Sequence, residues 1–220
     1  MLIAVLNQKG GVGKSTIAMH LAACAHLKSK RVLLLDLDKQ GTAIDWYAAR
    51  DDESRLAGLV TVKVERAISA PKFLDVSRGY DVVVCDGPPR LAEITRSAAV
   101  AADVVVMPLR PGACDLWAAD ETIQLLDQAD ATRADLGLEP VRRLFVLNGA
   151  GAGTRLARQV TTALNELGAK DVPVIHNRVI FAESVASGEC ALTLAPSSSA
   201  AEEIAAVYKL AIKSKARRRA

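Results

Sequence analysis

The chain is 220 residues long, half of them hydrophobic, with 28 Lys and Arg against 25 Asp and Glu for a net charge of +3. That is enough apolar material for one domain with a sizeable core, and no apolar run approaches the ~20 residues needed to span a bilayer. Six basic residues, Lys209, Lys213, Lys215, Arg217, Arg218 and Arg219, close the chain with no acid among them; without them 22 basic residues face 25 acidic ones, so the positive charge is in the tail. The sequence opens on a strand-like run with no signal-peptide pattern before it. Its four cysteines, Cys24, Cys85, Cys114 and Cys190, include no C-x-x-C pair. Both features lead to the expectation of a cytoplasmic protein with reduced, buried thiols. Aromatics are only 4 %, so the core is expected to be Val, Leu, Ile and Ala.

The first apolar run, 2–6, reads as a buried strand, and a helix is expected over 14–28. Between them lies Asn7-Gln8-Lys9-Gly10-Gly11-Val12-Gly13-Lys14-Ser15-Thr16. Gly10, Gly11 and Gly13 let backbone N–H groups turn inward around phosphate oxygens, and the helix aims its positive end at the same place. Lys14 can reach the β- and γ-phosphates, and the Ser15 hydroxyl is placed for Mg²⁺. Gly10, Gly11, Val12, Gly13, Lys14, Ser15 and Thr16 are therefore the predicted contacts to ATP and Mg²⁺. The pattern G-x-x-x-x-G-K-[ST] would place glycine at position 8, where this chain has Gln8. Lys9-Gly10-Gly11 makes the loop a variant with one lysine more than it needs; the competing reading is a bare strand–helix turn.

A second strand, 32–36, ends in Asp36-Leu37-Asp38-Lys39-Gln40-Gly41 before a helix over 42–50. Two carboxylates at i and i+2 can serve Mg²⁺ and an attacking water, or cap the next helix. Strands follow over 59–64 and 81–85, the latter running into Asp86-Gly87-Pro88-Pro89. A hydrophobic strand ending in a carboxylate suits Asp86 as acceptor from Mg²⁺-bound water, although strand–Asp–Gly also marks a plain turn. Beyond a helix over 90–101 and a strand over 103–107 comes Pro108-Leu109-Arg110-Pro111-Gly112-Ala113-Cys114-Asp115-Leu116-Trp117-Ala118. The remaining elements are helix 116–136, strand 143–147 ending at Asn148, helix 154–167, strand 172–175 and helix 199–213. Asn148 offers a donor and an acceptor suited to a base edge, or else starts a glycine-rich turn. Continuous valine runs such as Val104-Val105-Val106 suit strands covered on both faces. The alternation predicts a doubly wound α/β fold of about seven mostly parallel strands, with the ligand at their carboxyl ends. One domain is expected over 1–213, with a basic tail over 214–220.

Taken together, K-G-G-V-G-K-S-T, the D-x-D segment and the strand ending Asp86-Gly87-Pro88-Pro89 resemble the ParA/MinD group of P-loop ATPases over nearly the whole chain. The resemblance implies ATP hydrolysis and an ATP-dependent homodimer in which Lys9 reaches the partner's phosphates. It implies that Asp38 positions the water and that Asp36 lies near the Mg²⁺. Lys39 stands where the family has proline. Segment 108–118 is similar to the entry into the dimer-facing helix of small ParA proteins, making Asp115 and Trp117 interface candidates, with a core role for Trp117 as the alternative. Relatives read the adenine edge near Asn148 and close over the base near Pro196 and the serines after it. Some relatives share an iron–sulfur cluster between subunits, which keeps Cys85 and Cys114 in view.

The basic end has two readings. Lys and Arg clusters neutralise DNA phosphates by counterion release, without sequence preference, and the resemblance implies such binding near the C-terminal helices. Lys209, Lys213, Lys215, Arg217, Arg218 and Arg219, joined by Arg178, are the predicted contacts to non-specific duplex DNA; a solvated tail is the alternative. MinD-like relatives instead end in an amphipathic helix on lipid, and Ile204, Val207, Tyr208, Ala211 and Ile212 form an apolar stripe. Glu202 and Glu203 beside it, and the lack of bulky anchors, favour a core-facing stripe. The expectation is a nucleoid-associated, ParA-type ATPase without an N-terminal helix-turn-helix. It would position a plasmid, a chromosome region or a protein cluster with a ParB-like partner that stimulates hydrolysis. A membrane ATPase, a metabolic or electron-transfer enzyme, and a non-enzymatic DNA-binding protein are the rivals.

Overall fold

A computed structural model describes residues 1–90, 93–151, 153–166 and 168–213, with the side chains of 113, 114, 117 and 118 outside the description. Seven strands, β1 (Leu2–Val5), β2 (Val32–Asp36), β3 (Val60–Lys63), β4 (Val82–Asp86), β5 (Val104–Leu109), β6 (Arg142–Ala150) and β7 (Val174–His176), form one sheet. Their order is β3-β2-β4-β1-β5-β6-β7 and every pairing is parallel. The doubly wound fold expected from the sequence is the fold observed. Strands β2, β3 and β4 lie on one side of β1 and β5, β6 and β7 on the other. The crossovers therefore diverge at the carboxyl end of β1 and leave a crevice there.

Alternation along the strands divides the core. Leu2, Ala4, Val83, Cys85, Val105 and Met107 point to one face, and Ile3, Val5, Val82, Val84, Val104 and Val106 to the other. The first face is covered by α4 (Glu93–Ala101), α5 (Ala113–Asp135) and α6 (Arg155–Glu166), and the second by α1 (Lys14–His26) and α9 (Ser199–Ile212). Helix α1 is buried almost all round because Ala18, Ala22, Ala23 and Ala25 let the sheet and α9 approach it closely. Ile204, Val207, Tyr208 and Ala211 of α9 are all buried, so the last helix spends its apolar stripe on the core. Among the described residues no helix is long and apolar enough to cross a membrane.

Helix α2 (Thr42–Ala48) lies close to its predicted place, but three short helices were not predicted. In α3 (Ala70–Val76), a proline sits in the first turn and only Phe73 is buried, so helical periodicity has nothing to repeat. In α7 (Val179–Ala186) only Ser184 is buried, and α8 (Ala191–Leu194) is a single turn. Strand β6 runs past its predicted end, through an irregularity between Asn148 and Ala150, to reach the crevice.

Candidate nucleotide site

At the end of β1 the chain is fixed by Asn7. Its Nδ2 donates to the Pro108 carbonyl at 2.7 Å and its Oδ1 accepts from Lys9 N–H at 2.8 Å, tying the loop's base to β5. Gln8 N–H donates to the Thr122 hydroxyl on α5 at 3.3 Å. Gly13 has φ +92°, and a Cβ there would lie 2.1 Å from Asn148 Nδ2. Backbone conformation and close approach therefore both demand glycine. At Gly10 and Gly11 a Cβ would meet nothing within 4 Å, so the loop rims open space. The first turn of α1 carries no acid, which leaves its positive end available to an anion.

The two lysines go different ways. Lys14 is buried, and its Nζ donates to the Lys9 carbonyl at 2.8 Å; burial lowers its pKa while Asp86 and Asp38 pull it back up. Lys9 points to the start of α5, where its Nζ lies 2.9 Å from Asp115 Oδ2. The extra lysine is thus held by an acid of its own chain, outside its own phosphate cradle.

The three strand-end carboxylates also differ. Asp86 is fully buried, and neither oxygen has a hydrogen-bond partner of full geometry. Burial, aided by Asp36 and Asp38, pushes its pKa up to about 7 against the pull of the neighbouring Ser15 hydroxyl and Lys14. An orphaned buried carboxylate beside a hydroxyl is an arrangement that a divalent cation completes, so Asp86 and Ser15 fit Mg²⁺. Asp36 is equally buried but fully engaged. Its oxygens accept from the N–H groups of Asp38 at 3.0 Å, Ala43 at 3.2 Å and Ile44 at 3.2 Å, with Lys63 Nζ 3.8 Å away. These contacts cover its lone pairs and make Asp36 the brace of the segment before α2 and the cap of that helix. Asp36 thus occupies the helix-capping position that the sequence offered beside a metal role. Asp38 Oδ1 accepts from Gln40 N–H at 3.1 Å, and its carbonyl accepts from Lys63. After β4, Gly87 N–H donates to the Val5 carbonyl at 3.1 Å, and a Cβ there would lie 2.9 Å from that oxygen. Glycine is needed for β4's exit to cross β1.

Beside the loop opens a cavity of about 510 Å³, bounded by Thr16, Arg110, Asn148, His176, Arg178 and Phe181 among others. Asn148 uses its Nδ2 on the Val12 carbonyl at 2.8 Å, which ties β6 to the loop and leaves its Oδ1 for a ligand. Ser198 caps α9, accepting from Ala201 N–H at 3.3 Å, and the wall on that side is Ile204. Arg178 lies at this mouth, paired with Glu203 at 2.8 Å, and Glu203 also holds His176 at 2.7 Å. Lys213 lies at the far end of α9, ten residues and therefore ~15 Å beyond Glu203. Arg178 and Lys213 consequently do not share one patch. Lys209 is exposed on the helix between them, while Lys215, Arg217, Arg218 and Arg219 lie outside the described residues.

Sequence reasoning missed Arg110, His176, Phe181 and His20. Only Arg110 carried a usable signal, a cation just past a strand's carboxyl end. His20 is completely buried in α1. Its Nδ1 donates to the Thr16 carbonyl at 2.8 Å, while Nε2 accepts from Ala191 N–H at 3.2 Å and meets Ser184 Oγ at 3.3 Å. Burial lowers its pKa to about 4, so it is a neutral clamp joining the phosphate-loop helix to α7 and α8. Cys24, Cys85 and Cys190 are buried, and burial pushes each thiol pKa up. The side chains of Cys114 and Trp117 lie outside the description. Among the described residues no three His, Cys, Asp or Glu side chains gather into a metal cluster.

Residues 3–192 match the model of the CobQ/CobB/MinD/ParA nucleotide binding domain. The chain is 34% identical over 226 residues to the chromosome-partitioning ATPase Soj of Thermus thermophilus, covering 89% of both chains. It is 29% identical over 210 residues to the maintenance of carboxysome distribution protein A of Halothiobacillus neapolitanus, covering 92% of both. The structure of apo McdA from Cyanothece has the same fold, with a TM-score of 0.77 at 16% identity, covering 96% of this chain and 98% of that one.

Proposed function

The chain belongs to the CobQ/CobB/MinD/ParA family and is an ATPase of the ParA/MinD kind; from that premise we propose that it works as a ParA-type positioning ATPase. Two subunits close face to face on ATP and Mg²⁺, the dimer holds non-specific duplex DNA, and a cargo-bound partner stimulates hydrolysis and releases it. The observation that carries this reading is Lys9, which sits on the loop yet is held by Asp115 at 2.9 Å and leaves the charge work of its own cradle to Lys14. A lysine placed so has a task outside its own site.

Within this scheme Lys14 exchanges the Lys9 carbonyl for phosphate oxygens. Ser15 and Asp86 would hold Mg²⁺, which supplies positive charge against the phosphates. Asp36 fixes the backbone from which Asp38 extends, and Asp38 orients the attacking water. Phosphoryl transfer depends mainly on positioning and charge neutralisation, so Asp38 need not be a strong base. Lys9 leaves Asp115 for the partner's phosphates. The buried stripe of α9 favours DNA over lipid as the surface bound, because it leaves that helix no apolar face for a bilayer. A cytoplasmic, nucleoid-associated location follows from this reading. Light scattering of Lys9→Ala with ATP–Mg²⁺ tests the scheme: nucleotide binding should persist while the dimer is lost, and a dimer as stable as that of the unsubstituted chain would overturn the role of Lys9 in trans.

A further inference from the structure

The sheet's opposite end carries a second cleft, of about 390 Å³, between the start of β6, the turn after α6 and the end of α9. We propose that this cleft binds backbone phosphates of duplex DNA through Arg142, Lys170 and Lys213; the proposal rests on the DNA-binding reading above and says where the contact is made. Arg142 is half-buried. Its guanidinium donates to the Ala211 carbonyl at the end of α9, and its Nε is buried without a hydrogen-bond partner. No described carboxylate pairs with Arg142, so its charge stands uncompensated in the cleft wall, where an anionic oxygen can answer it.

Lys170 and Lys213 are exposed at the rim. Asp171 is the acid facing them, 3.9 Å from Lys213, and both members of that pair are largely exposed, so water and salt weaken it. Arg143 contributes no free charge, because Asp127 at 2.7 Å and Asp130 at 2.6 Å take its guanidinium. With the two acids on Arg143 counted, four cations face three acids, and the site keeps a small positive balance. None of the apolar residues lining it is among the exposed large hydrophobic side chains, so it offers a lipid tail nothing to bury. Lys209, exposed one helical turn before Lys213, extends the charge along α9.

The location has a consequence. Two subunits closing through their nucleotide loops would turn this end outward, so each carries its own phosphate contact and ATP strengthens binding by joining two of them. The test is binding of Lys170→Ala/Lys213→Ala to random-sequence duplex DNA with ATP–Mg²⁺ over a salt series, beside Arg178→Ala. ADP affinity and melting temperature control for folding. The double variant should bind about tenfold or more weakly at low salt, with the slope of log K against log salt shallower by about 0.9 per phosphate contact removed. Arg142→Lys, which keeps the charge, should lose less than Arg142→Gln. If the unsubstituted chain binds DNA and the double variant matches it in affinity and slope, the site is refuted while the function stands. If the unsubstituted chain binds no DNA, both fall.

Discussion

Asp36 and Asp86 end adjacent parallel strands, are equally buried, and have opposite surroundings. Asp36 is satisfied by backbone N–H groups, while Asp86 waits with bare oxygens and a pKa near 7. Below pH 7 Asp86 holds a proton that a cation must displace, so Mg²⁺–nucleotide affinity should fall from pH 8 to pH 6 with proton release near pH 7. Calorimetry in buffers of different ionisation enthalpy checks this. Without ligand, the raised pKa makes its contribution to stability greatest below the unfolded carboxylate value and lost as pH rises through 7. His20 works the other way: its pKa near 4 gives stability above the unfolded value of 6.5 that is lost as pH falls through 4. The two slopes offset each other between about pH 4 and 6.5. Asp86→Asn should therefore raise the melting temperature at pH 8, by about 2–4 °C per kcal/mol recovered, weaken Mg²⁺–nucleotide binding, and expose the rising slope due to His20. A variant whose melting temperature at pH 8 is unchanged would show that Asp86 bears no burial penalty. The glycines, Lys14 and Ser15 were legible in sequence because they share one strand–loop–helix junction, and Asp86 because it ends a hydrophobic strand of its own. The role of Asp36 was open because it depends on N–H groups seven and eight residues on, whose placement follows from the path of Leu37–Gly41.

Among elements, α5 matters most to the proposed cycle. Its first turn supplies Asp115 to Lys9 and its third supplies Thr122 to the loop backbone, so its position is felt at the phosphates. Asp115→Asn should free Lys9 in both subunits and raise the association constant of the ATP-dependent dimer, by up to about thirtyfold for two ion pairs worth 0.2–1 kcal/mol each. Sedimentation at several protein concentrations reads this, and a dimer weakened by the change would mean that Asp115 serves the closed state. Helices α7 and α8 join the phosphate-loop helix through His20. His20→Ala should cost about 2–4 kcal/mol, adding a cavity to an orphaned Ala191 N–H, and should weaken nucleotide binding as the cavity wall at Phe181, which His20 meets edge-on, shifts. Chemical denaturation and nucleotide titration check both, and unchanged values in both would remove the clamp. Long periodic helices and valine-rich strands were readable from the chain, whereas α3, α7 and α8 were not. Their burial is set by partners distant in sequence, such as His20 for α8, and no window of neighbouring residues contains that information.

At the scale of the molecule, the sheet separates two chemistries. Its carboxyl end holds the nucleotide loop, the orphaned Asp86 and the lysine assigned to the partner. The other end holds the cleft of Arg142, Lys170 and Lys213, where α9 finishes. The resemblance grouped Arg178 with Lys213 as basic residues near the C-terminal helices; α9 between them puts them at its opposite ends. Fold and family were legible because the loop's glycines and the βα alternation are each repeated local signals. The layout of the basic residues was not, since it depends on the direction of α9 across the sheet. The central claim is that ATP, by joining two subunits, commands DNA binding. It is tested most directly by fluorescence anisotropy of a labelled random-sequence duplex with no nucleotide, with ADP–Mg²⁺ and with ATP–Mg²⁺, beside Lys14→Ala. Binding with ATP–Mg²⁺ alone, weakened by salt and lost in the variant, is the predicted result. Binding of equal strength in all three states, kept by Lys14→Ala, would contradict it.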